Sequence, residues 1–429
     1  MAHRIGEKNL ALAREADWMG EGRVFGSSDI LGGLLACLLP TLMFIEVEVG
    51  GRLFLSEILL VCLAPLLIAM RGRMLATGLP RQLLMLGALW LLAQVLTDEI
   101  RGTPFADWSR GWAKIALVSI NFISIFLLLN GSRFRYLMFA AGIALGQILG
   151  YFYNPNEYAY DYPWKFGYGT AVTLLAILAA SSLSFAGRLF SAGAMLAMGA
   201  VNFYMGFRSL GLVCLLGGCI LLLMRPRRSL SDSPVKTALL AGIAMIGVVS
   251  FYEHGASQGY FGEQEQEKYR WQSAGTMGVV VGARSEILAS AQAVKDSPLI
   301  GHGSWAKDPK YVFAMADELE ALGYEVHGVL ESDLIPSHSY LMGAWVEAGV
   351  VGAVFWSFGL ILICRVLFRM RGIDSILAPL VAFEALNFLW AIPFSPFGAE
   401  ARLHAAFDLA LLIYALSPVR PADAAESDA

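Results

Sequence analysis

Charge is scarce in this sequence. Only 15% of its 429 residues are Asp, Glu, Lys or Arg, and 57% are apolar, whereas a soluble domain carries roughly 25% charged residues. A soluble globular chain is excluded, and an integral membrane protein is expected. A basic excess is missing too: the net charge of -4 sets up no field that would draw nucleic acid, so no such partner is expected. Cysteine is sparse. Cys37, Cys62, Cys214, Cys219 and Cys364 each lie inside an apolar run, which argues against a disulfide frame or a thiolate zinc site. No repeat of fixed period and no pair of similar halves is evident, and this weighs against the repeat-built transporter folds. No apolar h-region opens the chain, whose first 28 residues mix both charge signs, so no cleaved signal peptide is expected.

Long hydrophobic runs are abundant instead. Twelve of them, at 29–46, 53–70, 82–97, 113–130, 135–153, 168–186, 189–206, 208–224, 236–252, 349–368, 374–391 and 401–417, approach the ~20 residues that cross ~30 Å of hydrocarbon. The expected fold class is therefore all-α and polytopic, with about 12 transmembrane helices. Cytoplasmic loops retain Lys and Arg. With the N-terminus inside, 18 of the 31 basic residues fall on that side by our count, among them Arg71, Arg73, Arg133, Arg135, Arg188, Arg369 and Arg371. Both termini then read as cytoplasmic. The resulting organisation is a cytoplasmic segment (1–28), spans one to nine (29–252), an exported loop domain (253–337), an interfacial helix with spans ten to twelve (338–417) and a cytoplasmic tail (418–429).

The exported loop is long enough to carry a fold of its own. Residues 283–296 predict a helix with Ile287, Leu288, Ala291 and Val294 on one face, ended by Asp-Ser-Pro. Residues 311–322 predict a second, with Val312, Met315, Leu319 and Leu322 in a stripe and Gly323 at the C′ position. A shorter outside loop, Tyr151 to Tyr168, has nine aromatics in 18 residues. It reads either as an interfacial aromatic belt or as a platform on which sugar rings stack.

His338 stands where the exported loop meets a membrane helix. One reading has it capping that helix in the headgroup zone. The other draws on the helix dipole, whose positive end disfavours imidazolium and keeps the ring available as a base. Ser339 to Phe368 as one straight helix would span about 45 Å, more than the ~30 Å core, so a break before Gly349 is expected, with the first turns lying along the interface. Among the arginines, Arg208 opens a span with no carboxylate within about ten residues to pair it. Either it snorkels to headgroup phosphates or an anion meets it. Arg284 has Glu286 or a distant anion to satisfy it. Arg101, Arg110 and Lys114 share a loop with Asp98, Glu99 and Asp107, which favours surface pairing there, and Arg110 is retained as a third anion-binding candidate. Guanidinium forks suit phosphate oxygens. A neutral histidine beside several such arginines suits a transfer reaction with a pyrophosphate leaving group. GHGSW at Gly301 to Trp305 has no strand-turn-helix context for a nucleophile, and His302, His327 and His338 lack metal-ligand spacing, so no metal and no cofactor are expected. Glu57, Glu384, Asn387 and Asp408 in or near spans read as helix-to-helix hydrogen bonds or as a buried relay.

His338, Tyr340-Leu341, Glu347, Gly349 and Gly352 resemble the His-Asn-x-x-Leu…Glu-x-Gly-x-x-Gly run of the O-antigen ligase and polymerase superfamily of bacterial membrane glycosyltransferases. Gly282 to Trp305 resembles the arginine-helix-Pro-x-x-Gly-x-Gly block upstream of that histidine. Together these cover roughly residues 200–370. The resemblance implies a C-type glycosyltransferase fold in the bacterial inner membrane, active on the periplasmic face without a metal and inverting at the transferred sugar. The implied donor is an undecaprenyl-pyrophosphate-linked glycan, and the acceptor lipid A core or another lipid-linked glycan. His338 matches the essential histidine, and Arg208 and Arg284 match the arginines that hold the pyrophosphate. Three positions depart from the pattern: Ser339 replaces asparagine, Leu288 replaces a frequent tryptophan, and Ser-Leu follows Arg208. The rival expectation is a polytopic transporter or flippase of lipid-linked glycans.

Overall fold

A computed structural model describes residues 27–155, 157–183, 187–223, 253–260, 262–273, 286–321, 323 and 333–417, with the single positions 242, 247 and 250. Helix dominates, as it must where no water is at hand to satisfy backbone N–H and C=O groups. The first part contains α1 (Ser27–Thr41), α2 (Leu55–Arg71), α3 (Gly78–Arg101), α4 (Phe105–Leu129), α5 (Arg133–Tyr153), the short α6 (Glu157–Asp161), α7 (Gly169–Ser182), α8 (Gly187–Tyr204) and α9 (Arg208–Leu223). The loop region supplies α10 (Glu263–Ser273), α11 (Glu286–Asp296) and α12 (Pro309–Ala321). The chain continues with α13 (Tyr340–Ala348), α14 (Val350–Arg369), α15 (Ala378–Phe394) and α16 (Ala399–Leu416).

Eleven of the twelve apolar runs coincide with a helix; the ninth, 236–252, lies outside the described residues apart from isolated positions. Among the described residues five helices, Leu55–Leu75, Gly78–Arg101, Phe105–Leu129, Arg133–Tyr153 and Val350–Gly372, are long and apolar enough to cross a membrane. The protein is an α-helical membrane protein. Its outer helices turn apolar side chains away from the protein: Met85, Leu89, Leu92 and Leu96 form an exposed stripe on α3, a surface that only lipid would cover. Near its centre, α15 and α16 are buried almost all round.

The two ends of the bundle differ. At one, Arg71 donates to Leu127 O (2.8 Å), Arg188 to Ile373 O (3.0 Å), and Arg133 meets Asp374 (3.1 Å), so arginines assigned by sequence to one side do gather at one end. At the other, the loop end, a two-stranded antiparallel hairpin (Glu46–Glu48 with Arg52–Phe54) fills the turn between α1 and α2. Just inside it, Arg402 on α16 donates to both carboxylate oxygens of Glu57 on α2 (2.8 and 2.5 Å), and Asn121 of α4 donates to the same carboxylate (3.1 Å). Glu57 is completely buried, and a buried carboxylate persists only with such partners.

The loop region has a small core of its own. Ala289 and Ala293 of α11, Tyr311, Met315 and Leu319 of α12, Ile335 and Val346 pack together. Val312, Met315 and Leu319 are buried as their spacing predicts, and Gly323 adopts φ +86° after the helix. On α11 the predicted face holds in part: Leu288 and Val294 pack against this core, but Ile287 is exposed and the fully buried positions are Ala289, Ser290 and Ala293. Small residues let α11 approach α12 and α13 closely, and this outweighs burying the larger side chain. Helix α10 was not foreseen, because EQEQEKYRWQS has no apolar periodicity.

Candidate functional site at the loop end

The expected break in the long helix is real, and one residue makes it. Gly349, between α13 and α14, has φ 65° and ψ -161°, a region essentially reserved for glycine. A Cβ there would lie 2.0 Å from Leu299 O. Because α13 stops, the carbonyls of its last turn are exposed, and the GHGSW segment uses them: His302 N donates to Val346 O (2.7 Å) and Gly303 N to Glu347 O (3.1 Å). GHGSW is thus a docking strap. Its far side is bound by the end of α3. Asp98 accepts from Ser304 N (2.6 Å), Ser304 Oγ (2.7 Å) and Trp112 Nε1 (2.8 Å); Thr97 donates to Ile300 O (2.6 Å), and Arg101 donates to Gly301 O and to Ser297 Oγ (2.7 Å).

These contacts correct the expectation of surface pairing within residues 98–114. Asp98 is buried and serves the strap; Asp107 pairs with Lys307 (3.0 Å), and Lys114 with Glu347 (2.6 Å). Arg110 donates from Nε to Gly50 O in the hairpin turn (3.0 Å). The signal for this network was Gln94 and Asp98, four apart inside an apolar helix; their proximity to other charges in sequence obscured it. His302 is absorbed by the same docking, with Nε2 2.8 Å from Ala293 O and its ring edge-on to Tyr311. Beside it, Asp296 accepts from Lys310 (2.7 Å) and Tyr311 (2.9 Å), which hold its carboxyl below its ordinary range. Burial, then Asp296, raises the Tyr311 hydroxyl.

His338 is placed differently. The extended stretch leading to it is held to the strap by Ile335 N donating to Ala306 O (2.9 Å). Ser339, not His338, caps α13: its Oγ accepts from Met342 N (3.1 Å) and donates to Ile392 O on α15 (2.9 Å). Asparagine is an equally good N-cap, so the Ser339 departure leaves this capping role intact. Relieved of capping, the His338 side chain is 54% exposed, with Nδ1 3.3 Å from Oε1 of Glu286 at the start of α11. A carboxylate at Nδ1 selects the Nδ1–H tautomer of a neutral ring and leaves Nε2 as the basic nitrogen. The sequence offers Glu286 as a partner for Arg284, and nothing in it pairs Glu286 with a residue 52 positions away.

Arg208 is half-buried at the first position of α9. The site Gly217 offers on that helix faces Leu386 of α15 at 3.6 Å. Nine residues of helical rise carry α9 back to Arg208 and α15 forward to Ser395. Arg208 thus opens a helix that packs on α15, and Ser339, next to His338, is bonded to Ile392 of that same helix. Arg284 and His327 lie outside the described residues. Among the described residues no group of three His, Cys, Asp or Glu is arranged to hold a metal. Comparison with models of protein families, with curated proteins and with solved structures finds no match to this chain.

Proposed function

We propose that the protein transfers a glycan from undecaprenyl pyrophosphate to an acceptor hydroxyl at the periplasmic face of the bacterial inner membrane, as an O-antigen ligase or a surface-polysaccharide polymerase. The observation that carries this reading is the His338–Glu286 pair: an exposed imidazole backed by a carboxylate at Nδ1, at the loop end of a membrane bundle. In the reaction, Nε2 of His338 takes the acceptor's hydroxyl proton as that oxygen bonds to the anomeric carbon. The bond from that carbon to the pyrophosphate oxygen breaks, and undecaprenyl pyrophosphate leaves with the electron pair. Attack opposite the leaving group inverts the centre. Arg208, Arg284, two residues before Glu286 in sequence, and Arg110 neutralise the departing pyrophosphate. No step calls on a metal.

One observation favours the flippase or transporter reading: Glu384 and Asp408 are both buried, on the packed helices α15 and α16. Carboxyl groups inside a membrane bundle are a resource of ion-coupled carriers. One assay separates the two. Purified protein is incubated in EDTA with an undecaprenyl-pyrophosphate glycan and either lipid A core or more of the same lipid-linked glycan. A ladder of lengths is expected of a polymerase and a single discrete shift of a ligase. Flipping in vesicles with no acceptor ever elongated would overturn the enzyme reading.

A further inference from the structure

A cavity of about 250 Å³ opens at the loop end between the hairpin, the end of α5, residues 163–170 and the start of α16. It is separate from the His338–Glu286 pair but joined to it through the fold: Ser339 is tied to Ile392 near the end of α15, and Glu400 and His404 line the cavity just after the α15–α16 turn. We infer that this cavity is a saccharide-binding subsite that takes one uncharged sugar ring.

Three features of the wall point to that ligand class. The first is hydrogen-bonding capacity without net charge. Gln147, Asn154 and Thr170 line the cavity together with Glu46, Glu400 and Lys165. Arg52 pairs with both Glu46 and Glu400, so the local charges nearly cancel and neither an anion nor a cation is favoured. The second is an acceptor without a donor. Gln147 Nε2 lies 3.1 Å from His404 Nε2, while Gln147 Oε1 has no hydrogen-bond partner among the described residues. An acceptor left so is costly; the atom is closed off from solvent as the side chain stands, and a small turn of the half-buried amide into the cavity lets a sugar hydroxyl reach it.

The third is aromatic surface held over the mouth by unusual backbone. Residues Pro163–Tyr168 form a π-helical turn, a rare conformation frequently found at functional sites. It brings Gly167 against the ring of Tyr151, whose atoms a Cβ would approach to 2.5 Å, and leaves Phe166 44% exposed at the cavity. A flat aromatic face packs against the C–H face of a pyranose while amide and carboxylate groups take its hydroxyls. An interfacial belt alone explains the exposed tyrosines of this segment, but not the π turn or the half-buried amide behind it. At about 250 Å³ the space is below the ~300–1,000 Å³ of drug-sized pockets, which suits a single ring and not a chain.

That the ring belongs to the donor or acceptor glycan rests on the transfer reading; that a ring binds does not. The test therefore measures binding alone. Protein in an amphipol free of sugar headgroups is probed by saturation-transfer NMR with the methyl glycosides of glucose, galactose and N-acetylglucosamine, and with glycerol as control. We expect saturation of ring protons from at least one glycoside, none from glycerol, and at least a fivefold loss of signal in Gln147→Met and in Phe166→Ala. Phe166 is exposed enough that its variant keeps the fold, and melting temperatures check both. Signal undiminished in His338→Ala supports a subsite distinct from the transfer centre. No saturation from any of the three glycosides, equal saturation from glycerol, or full signal in Phe166→Ala would overturn the proposal. Binding without transfer would leave the subsite standing and sink the proposed reaction; transfer without binding would do the reverse.

Discussion

Two segments of the loop region cross the same end of the bundle and are built on opposite terms. Residues 297–308 have their polar groups taken up: Asp98, Thr97 and Arg101 on one side and the last carbonyls of α13 on the other leave His302 bonded to Ala293 O and packed on Tyr311. Residues 333–339 are held along their first half, where Asp308 N donates to Asp333 O (2.9 Å), Leu334 bridges Lys307 and Ile335 N donates to Ala306 O (2.9 Å), and again at Ser339; between these anchors His338 is exposed and keeps one ring nitrogen turned away from Glu286. Two histidines of the loop region thus differ through their neighbours: His302 is taken up by the strap's packing and His338 is left exposed beside one carboxylate; under the proposed function the first holds position and the second is the base.

The strongest way to test this division is to exchange the losses. His338→Ala should cost transfer about 10²–10⁴-fold, the range of a general base, with a melting temperature close to wild type; Glu286→Gln should cost less, in the same direction. A wild-type rate in His338→Ala would break the comparison. Next in size, Asp98→Ala strips four donors, Gln94 Nε2, Ser304 N, Ser304 Oγ and Trp112 Nε1, of their acceptor and should destabilise the loop end by about 3 kcal/mol, read as earlier thermal unfolding and as protease cleavage within residues 297–308. If the strap stays protected, it is not held as described.

His302→Ala should lower stability by about 1–2 kcal/mol, through one hydrogen bond and one ring contact, while the transfer rate of the folded fraction stays unchanged. The smallest effect is a pH dependence. Asp296 is held below its ordinary value of 3.8 by Lys310 and Tyr311, so its contribution is complete above that value and fades as pH falls through the lower folded one. Lys310 is raised above 10.5 by the same contact; its share is complete below that value and fades as pH rises through the higher folded one. Lys310→Ala should flatten both limbs of the stability profile measured by denaturant unfolding, and limbs as steep as in wild type would show that this pair adds nothing to the strap's rigidity.

Much of this was legible in the sequence because it is local. Apolar runs fix helices in a membrane, and eleven of them lie where the runs fall. Excess length marked the break at Gly349, and the stripe of α12 and its closing Gly323 follow from helical period. What escaped was set by neighbours distant in sequence. Asp98 looked like one of several surface charges until Ser304, 206 residues on, was seen to need it. Glu286 looked like a local partner for Arg284. The hairpin at residues 46–54 is too short to carry an alternating pattern, and α10 is polar on every side. His338 was legible as a position, but its carboxylate partner was not, since no spacing rule links two elements that meet only through the fold.

The buried pair of Glu57 and Arg402 sets an order of assembly. Among the described residues the carboxylate belongs to the second helix and its guanidinium to the last, 345 residues later. While the chain emerges, Glu57 has first the backbone N–H of Phe54 and then Asn121 as partners, and stays short of its counter-charge until α16 inserts. The final helix is then the closing piece of the bundle. A chain cut before residue 399 should leave an uncompensated acid in the membrane, and should be cleared by quality control even though every earlier helix is intact.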